Sequence, residues 1–429
     1  MTTSTEDLLQ VTEVEKDTTV EIEFQKICLL DILKKAQSAA SNKADNYQNL
    51  CKFSFDSDEV KIETFDGESV LELTYQNPKQ GTVKFQTNHS GIYAFDPKLL
   101  LNGIKMFKTE VVKFTFNETS VIVTGPKGKK KFELELGEVD QMNIDNVLFK
   151  AGKPFYVVGK PTKFSDFIKP FNQVFVAASK SDARPILMSM NFSSDEKMIN
   201  VLATDSHVVT KRGLFPLTVE NIRKAKYNGE GALELVDTDD LIEEFGKESF
   251  IISLDFFDNL NKVFDKDDLV VLSLSESGTM LQAYGDDKKS FVGRSVAGNY
   301  PNVEKVLDTS GVEYTFNFTD FKNTIDDLVN ITTSTGNSAE GAKLAIQAGS
   351  CTVESFGRSL VKYESELSVE TDNTEEFIIG INPRNFAQIL SFYKGETITL
   401  TMSASNKPIA LRINEDYNNV VLTPMLINK

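Results

Sequence analysis

Histidine and cysteine are scarce in this chain, and their scarcity narrows the chemistry open to it. The only histidines are His89 and His207. No H-E-x-x-H, G-x-S-x-G, G-x-x-x-x-G-K-[ST] or G-x-G-x-x-G pattern occurs, which argues against a zinc protease, a serine hydrolase, a phosphate-loop enzyme and a dinucleotide binder. The three cysteines, Cys28, Cys51 and Cys351, are odd in number and far apart, with no C-x-x-C or Cys/His zinc spacing. They read as buried structural thiols, since Cys28 lies in an apolar stretch and the other two open strand-like runs. No apolar run approaches the roughly 20 residues that span a bilayer. The opening MTTSTEDLLQVTEVEKD is acidic and polar, so it reads as neither a signal nor a transit peptide, and residues 1–18 are expected to be a disordered acidic leader. A cytoplasmic protein with no membrane association is expected.

Two local patterns could suggest ligand chemistry. The basic segment GPKGKKK from Gly125 lacks the terminal Ser/Thr and the strand–loop–helix setting of a phosphate loop, and reads as a hairpin turn. The carboxylate clusters from Asp56, Asp237 and Asp265 lack the glycine and closing glutamate of a calcium loop, and read as solvated turns. No nucleophile–base pair is evident. The expectation is therefore no catalysis, no metal and no cofactor.

The 429 residues allow two to four domains, and 40% hydrophobic residues can build an ordinary core in each. Net charge is −17, from 46 basic and 63 acidic side chains. Taken alone, that opposes nucleic-acid binding, which needs positive potential, unless the basic residues are segregated onto one surface.

The chain is built on a weak sixfold repeat. Units from Ile92, Phe250 and Phe377 each give a short strand, an Asp or Asn at a helix N-cap, an amphipathic helix, then two alternating strands. The expected caps are Asp96, Asp255 and Asn382, with Pro97 and Pro383 at the first helical position. Core-facing stripes are Leu100, Ile104 and Phe107; Phe256, Leu260 and Val263; Phe386, Ile389 and Phe392. Units from Val20, Phe155 and Tyr314 alternate with these, and Pro170 should kink its helix or delay its start. Two units per domain, three times over, predict an α+β protein of antiparallel sheets with helices on one face. Boundaries fall near residues 145–155 and 305–313.

The helices expected at Lys26–Ser41, Asp96–Lys108, Thr162–Lys180, Asp255–Lys266, Thr319–Ile331 and Asn382–Lys394 hold fourteen basic and nine acidic residues, a balance of +5 in a chain of −17. If all six face one surface, it is less acidic than the rest. Lys34, Lys35, Lys105, Lys108, Lys169, Lys180, Lys262 and Arg384 are the candidates for phosphate contact. The helices from Asp255 and Thr319 depart from the trend, and ordinary solvated lysines remain the alternative.

One stretch is more specific: ASKSDARPILMSMNFSSDEKMINVLATDSHVVTKR, residues 178–212. With GNYPNVEKVL at 298–307 and VVLTPMLI at 420–427, it resembles the bacterial DNA polymerase III beta subunit, the sliding clamp. The resemblance runs from about residue 19 to the end and implies three similar DNA-clamp domains, at 19–149, 150–308 and 309–429, each of two strand–helix–strand repeats. It implies a homodimeric ring with sheets outside and helices lining the hole. Duplex DNA would pass through it without sequence preference, with Arg184 and Lys43 joining the helix lysines as contacts. A hydrophobic pocket would take short linear motifs from the replicative polymerase, the clamp loader and repair proteins. By position it would use Leu187, Thr204, Ser206, His207, Val208, Val209, Pro301, Lys305, Val306, Asn382, Pro408, Thr423 and Met425. Ser206 stands where the family usually has Gly, and Val208 and Leu426 where Arg is common. Thr423 is more polar than usual, and the tail runs longer. The resemblance suggests a dimer joint between the segment from Lys129 and that from Ala342, with Phe132 and Ile331 at its apolar centre. The alternative function is a clamp-like interaction scaffold that does not encircle DNA.

Overall fold

The computed structural model of the 429-residue chain describes residues 20–40, 49–76, 85–87, 89–142, 144, 152–181, 184–228, 233–238, 240–246, 249–285, 289–334, 341–357, 362–413 and 418–427. The acidic leader and Lys43 lie outside the described residues. By internal contacts the chain divides into two compact units, residues 1–67 with 71–144, and residues 68–70 with 145–429.

Eight helices are described: α1 Lys26–Ala39, α2 Pro97–Lys105, α3 Phe164–Phe175, α4 Leu241–Gly246, α5 Leu254–Val263, α6 Glu304–Leu307, α7 Phe318–Ser334 and α8 Pro383–Leu390. The strands are paired antiparallel throughout the described ladders. None of the described helices is long and apolar enough to cross a membrane.

The repeat expected from the sequence governs the strand order. After α1, the strands Cys51–Phe55, Glu59–Phe65 and Ser69–Gln76 line up beside Gly91–Phe95, which leads into α2. After α3, Ser189–Ser194, Met198–Thr204 and Val208–Pro216 line up beside Ser249–Ser253, which leads into α5. After α7, Gly341–Gln347, Ser350–Phe356 and Glu364–Glu370 line up beside Phe377–Ile381, which leads into α8. The fold is thus α+β, with the same supersecondary unit used three times. Period-2 burial in strands such as Cys51–Phe55 and Val111–Phe116 turns alternate side chains inward. In the first unit these build an aromatic core in which Phe24 contacts Phe53 and Phe114, and Tyr93 stacks on Phe116 at 4.0 Å between ring centroids.

Caps set the helix starts. Asp96 Oδ1 accepts from the amides of Lys98 and Leu99 at 2.7 and 3.1 Å, with Pro97 at the first helical position. Asn382 does the same for Arg384 at 3.0 Å. Each such cap contributes about 1 kcal/mol. In α5 the cap is Ser253, whose hydroxyl accepts from Phe256 at 3.3 Å. Asp255, expected in that role, lies inside the first turn, where its charge still favours the helix N-terminus.

Most helices end earlier than the sequence suggests. Met106 and Phe107 bond back to Gly103 and Ile104, and Phe392 and Tyr393 to Ile389 and Leu390, so the chain leaves α2 and α8 through tighter turns. Lys108 and Lys394 therefore sit in connections. Phe392 is not core-facing as expected but 42% exposed, and Leu390 and Tyr393 complete the buried stripe. The helix with Pro170 starts two residues late, at Phe164, and runs on through the proline. Cys51 and Cys351 are fully buried, whereas Cys28 is half-buried. Burial pushes the Cys351 thiol up to about 12, so it stays protonated and inert.

The ambiguous local patterns become structural. The segment from Gly125 is the turn of a hairpin between Ser120–Thr124 and Lys131–Glu135, with Gly128 in the left-handed region at φ +63°. Asp56 accepts from the amides of Asp58 and Glu59. Asp265 and Asp268 hold the buried Lys289 ammonium at 3.2 and 2.7 Å. Among the described residues, no cluster of three or more His, Cys, Asp or Glu side chains is arranged for a metal.

Candidate functional site

Thirteen residues were expected to form one pocket, and a tight turn organises them. Thr204 ends a central strand with its hydroxyl buried, donating to the Val208 carbonyl at 2.7 Å and accepting from the Ser206 amide at 3.0 Å. Asp205 Oδ1 accepts from the amides of His207 and Val208, both at 2.8 Å. The turn forces Ser206 to φ +82°, a conformation that glycine adopts without cost and that other residues rarely enter. Ser206 and His207 are exposed at the tip, while Val208 and Val209 turn back into the core.

Two segments distant in sequence close around this turn. Val208 and Val209 pair with Leu422 and Val421. The Thr423 amide then donates to the His207 carbonyl at 2.8 Å, and the Met425 amide to the Gly380 carbonyl at 2.8 Å. Gly380 precedes Asn382, the cap of α8. A side chain at Gly380 would meet the Met425 backbone at 2.5 Å, so only glycine admits the tail there. From the other side, Val209, Leu202, Val303 and Val421 form one apolar cluster against which Tyr300, Val306 and Leu307 pack. Pro301 and Lys305 are exposed at its margin.

The structure thus brings Thr204, Ser206, His207, Val208, Val209, Val306 and Thr423 into one neighbourhood. Leu187, Asn382 and Pro408 reach it through adjacent residues. Leu187 is buried in the turn leading to Ser189; Pro408 precedes Ile409, which pairs with Leu422. Leu426, where the family often has Arg, is 79% exposed.

Tyr300 was not among the expected pocket residues, yet it ties the segments together. Its hydroxyl accepts from the Thr204 amide at 3.1 Å and donates to the Ser189 carbonyl at 3.1 Å. Burial, with a smaller contribution from Asp205, pushes its ionisation up to about 12. The available signal was a lone aromatic with a polar tip inside GNYPNVEKVL, a side chain that needs a partner once buried. Gln173 was also missed. It is 4% exposed on α3, accepts from Arg212 and donates to the Phe392 carbonyl at 3.2 Å, joining elements far apart in sequence within the second unit.

The basic candidates divide. Lys34 on α1, Lys105 on α2, Lys169 on α3 and Lys262 on α5 are exposed helix residues. Lys108, Lys180 and Arg184 are exposed in connections, and Arg384 is half-buried. Lys35 departs from expectation: it is 6% exposed and paired with Asp31 at 3.1 Å, one turn away. With the observed bounds, the six repeat helices hold nine basic and seven acidic residues, so their excess falls to +2. Of the rest, Lys108, Lys180, Lys266 and Lys394 lie in connections after helices, and Lys163 ends the strand before α3.

The expected dimer strands need one correction. Lys131–Glu135 is the last strand of its sheet, and Phe132 lies over Gly103 of α2, where an added Cβ would meet its ring at 2.5 Å. Gly341–Gln347, however, has both edges occupied, by Ser350–Phe356 and Phe377–Ile381. The strand with a mostly unpaired side is Glu364–Glu370, which pairs along its length with Ser350–Phe356 on the other side. It meets Val312–Asn317 only at Thr315↔Glu370 and Phe316↔Val369, beside a wedge of about 300 Å³. Ile331 is half-buried on α7, which packs beside Glu364–Glu370.

One four-strand order used three times, with the cradle where Val208–Pro216 pairs with Asn418–Leu422, defines the fold of the DNA sliding clamps. Among solved structures, the chain is similar to the Bacillus subtilis DNA polymerase sliding clamp (19% identity, 96% of this chain and 100% of that one, TM-score 0.76). It is also similar to the Streptococcus pneumoniae DNA polymerase III beta chain (18%, 95% and 100%, TM-score 0.75). A third is the Pseudomonas aeruginosa sliding clamp solved with griselimycin (14%, 95% and 100%, TM-score 0.73). In sequence, 252 residues, or 58% of the chain, are 23% identical to the Bacillus subtilis beta sliding clamp. That match spans 59% of the relative's own length. No family model matches. The chain is thus similar to the bacterial beta sliding clamps, in fold along about 95% of its length and in sequence along 58% of it.

Proposed function

We propose that this chain is a non-catalytic processivity clamp. Two copies would close head to tail into a ring around duplex DNA, and the cradle at Thr204–Val209 would tether the polymerase, the clamp loader and repair proteins through short linear motifs. The observation that carries this reading is the repeat: one strand order used three times, over a chain whose fold matches solved clamps along 95% of its length. We take the three domains as 19–149, 150–308 and 309–429, and the setting as cytoplasmic.

Lys34, Lys105, Lys108, Lys169, Lys180, Arg184 and Lys262 would meet phosphates, with Arg384 a partial contributor and Lys35 excluded by its pairing with Asp31. Phosphate contacts carry no base information, so the ring would slide. Apolar walls from Leu187, Val208, Val209, Val306, Pro408 and Met425 would accept Leu or Phe anchors, with Asn382, Thr423 and His207 orienting the peptide backbone and Pro301 and Lys305 at the rim.

For ring closure, Lys131–Glu135 of one copy would pair with Glu364–Glu370 of the other, with Phe132 and Ile331 beside the joint. Within the second unit, Val208–Pro216 already pairs with Asn418–Leu422. By the repeat, Glu364–Glu370 is the counterpart of the first of these strands and Lys131–Glu135 of the second.

The test is to load the protein onto nicked circular DNA with a clamp loader, linearise the circle, and assay retention by gel filtration. Release on cutting supports a closed ring. Retention on linear DNA refutes encirclement. Failure to associate, given an active loader, favours a scaffold, a reading for which the acidic α7 with Asp320, Asp326 and Asp327 would be the natural surface.

A further inference from the structure

Resting on the ring reading above, we propose that closure of this ring is opposed by like charge at its two intermolecular joints, so that rising ionic strength tightens the dimer. The argument comes from comparing two joints of the same structural kind. The joint made within the chain pairs Val208, Val209, Thr210, Lys211 and Arg212 with Leu422, Val421, Val420, Asn419 and Asn418. It is apolar at one end, carries Lys211 and Arg212 toward the other, and has no carboxylate on either strand.

The two strands that would make the counterpart joint, the edge strand Lys131–Glu135 and the mostly unpaired side of Glu364–Glu370, differ in chemistry. Along Lys131–Glu135 the exposed residues are Lys131, Glu133 and Glu135; along Glu364–Glu370 they are Glu364, Glu366, Ser368 and Glu370. Both strands alternate, with Phe132 and Leu134 half-buried on one, and Leu367 and Val369 buried on the other. Pairing them places the exposed sets on one face, where directly opposed Cβ atoms lie about 4.5–5.5 Å apart. Within the strand bounds that face carries five carboxylates and one ammonium, and Lys131 is already paired with Glu133 at 2.9 Å. Just beyond the strand ends the same alternation continues with exposed Lys129, Lys362 and Asp372, and Lys343 in the same sheet is held by Glu354 at 3.0 Å. Pairing Lys131 with Ser368 sets Glu133 and Glu135 against Glu366 and Glu364, and pairing it with Glu370 sets Glu135 against Glu366, so the registers that overlap the strands most confront carboxylates.

The attractive parts of the joint do not share this salt dependence. A backbone ladder and an apolar layer of Phe132, Leu134, Leu367 and Val369 would hold the strands. The repulsion is between exposed charges, and the Debye length falls from about 10 Å at 0.1 M salt to about 3 Å at 1 M. Salt therefore removes the opposing interaction and leaves the attractive ones. Such a joint closes a ring that a loader can open with little work.

Sedimentation velocity on the full chain, in 50 mM and 500 mM NaCl, reads this directly. The dimer dissociation constant should fall about tenfold at the higher salt. E364Q/E366Q should flatten that slope, and E364K/E366K should tighten the dimer at 50 mM and reverse the sign of its salt response. E135K tests the opposite edge and should act in the same direction. All three positions are exposed, and circular dichroism checks that each variant folds. A wild-type dimer that weakens with salt, ignores it, or keeps its slope in all the variants overturns the charge inference and leaves the ring standing. A monomer at both salt concentrations, for wild type and variants alike, overturns the ring itself.

Discussion

The carbonyl oxygen of His207 accepts two hydrogen bonds from a single residue 216 positions away: the amide of Thr423 at 2.8 Å and its hydroxyl at 3.2 Å. The turn tip and the C-terminal segment are thereby one structural object. Thr423→Val keeps the amide bond and should cost about 0.5–1 kcal/mol of stability. Thr423→Pro removes the amide donor, leaves that carbonyl with no partner from the segment, and should weaken an anchored Leu/Phe peptide about tenfold. Fluorescence anisotropy with a labelled peptide checks this. Equal affinity for the two variants would separate the tail from the cradle.

Tyr300 links Thr204 to Ser189. Tyr300→Phe leaves an amide and a carbonyl unpaired in a largely buried place, and should cost about 1–3 kcal/mol in urea titrations at pH 7. The pH dependence follows in sign. The folded chain holds this phenol up to about 12, whereas it ionises near 10 when unfolded. Its contribution is therefore fully present below pH 10 and is lost as pH rises from 10 through 12, because the unfolded state releases the proton first. The variant should lack that part of the alkaline destabilisation.

Exposed and paired lysines on the same helix should behave differently. Lys34→Ala, Lys105→Ala and Lys169→Ala should each reduce the slope of log affinity for duplex DNA against log salt by about 0.9. Lys35→Met should leave the slope unchanged, because its ammonium is engaged by Asp31. Filter binding over a salt series measures both. A loss of slope in Lys35→Met would put its side chain at the DNA.

Ser206 occupies a glycine conformation at φ +82°. Ser206→Gly should raise stability by about 1 kcal/mol, since the bonds that define the turn come from backbone groups at this position and survive the change. Calorimetry reads the shift in Tm. No gain would mean that the greater freedom of glycine in the unfolded chain offsets the relief of strain.

Much of the architecture was legible because it is local. The caps Asp96 and Asn382, the prolines behind them and the stripe at Leu100, Ile104 and Phe107 act within a few residues, so periodicity reports them. Errors arose where a neighbour outcompeted the local rule. Ser253 reached the orphan amide before Asp255 could, and Phe392 turned outward when α8 tightened its last turn. Lys35 looked like any helix lysine until its ammonium was seen to be held by Asp31 over a buried stem. Tyr300 and Gln173 were invisible as junction residues because their partners lie dozens to hundreds of positions away.

By itself the sequence determined the repeat, the α+β alternation of helix and strand, the absence of catalytic motifs and the segments that resemble sliding clamps. All of these are encoded in composition and short-range spacing. Only the tertiary structure decided which strand sides stay unpaired, which lysines stay exposed and which are held by a carboxylate, and how the turn at Ser206 meets the tail at Thr423. Those outcomes depend on which backbone groups and charges find partners across long sequence distances, and local pattern carries no information about that competition.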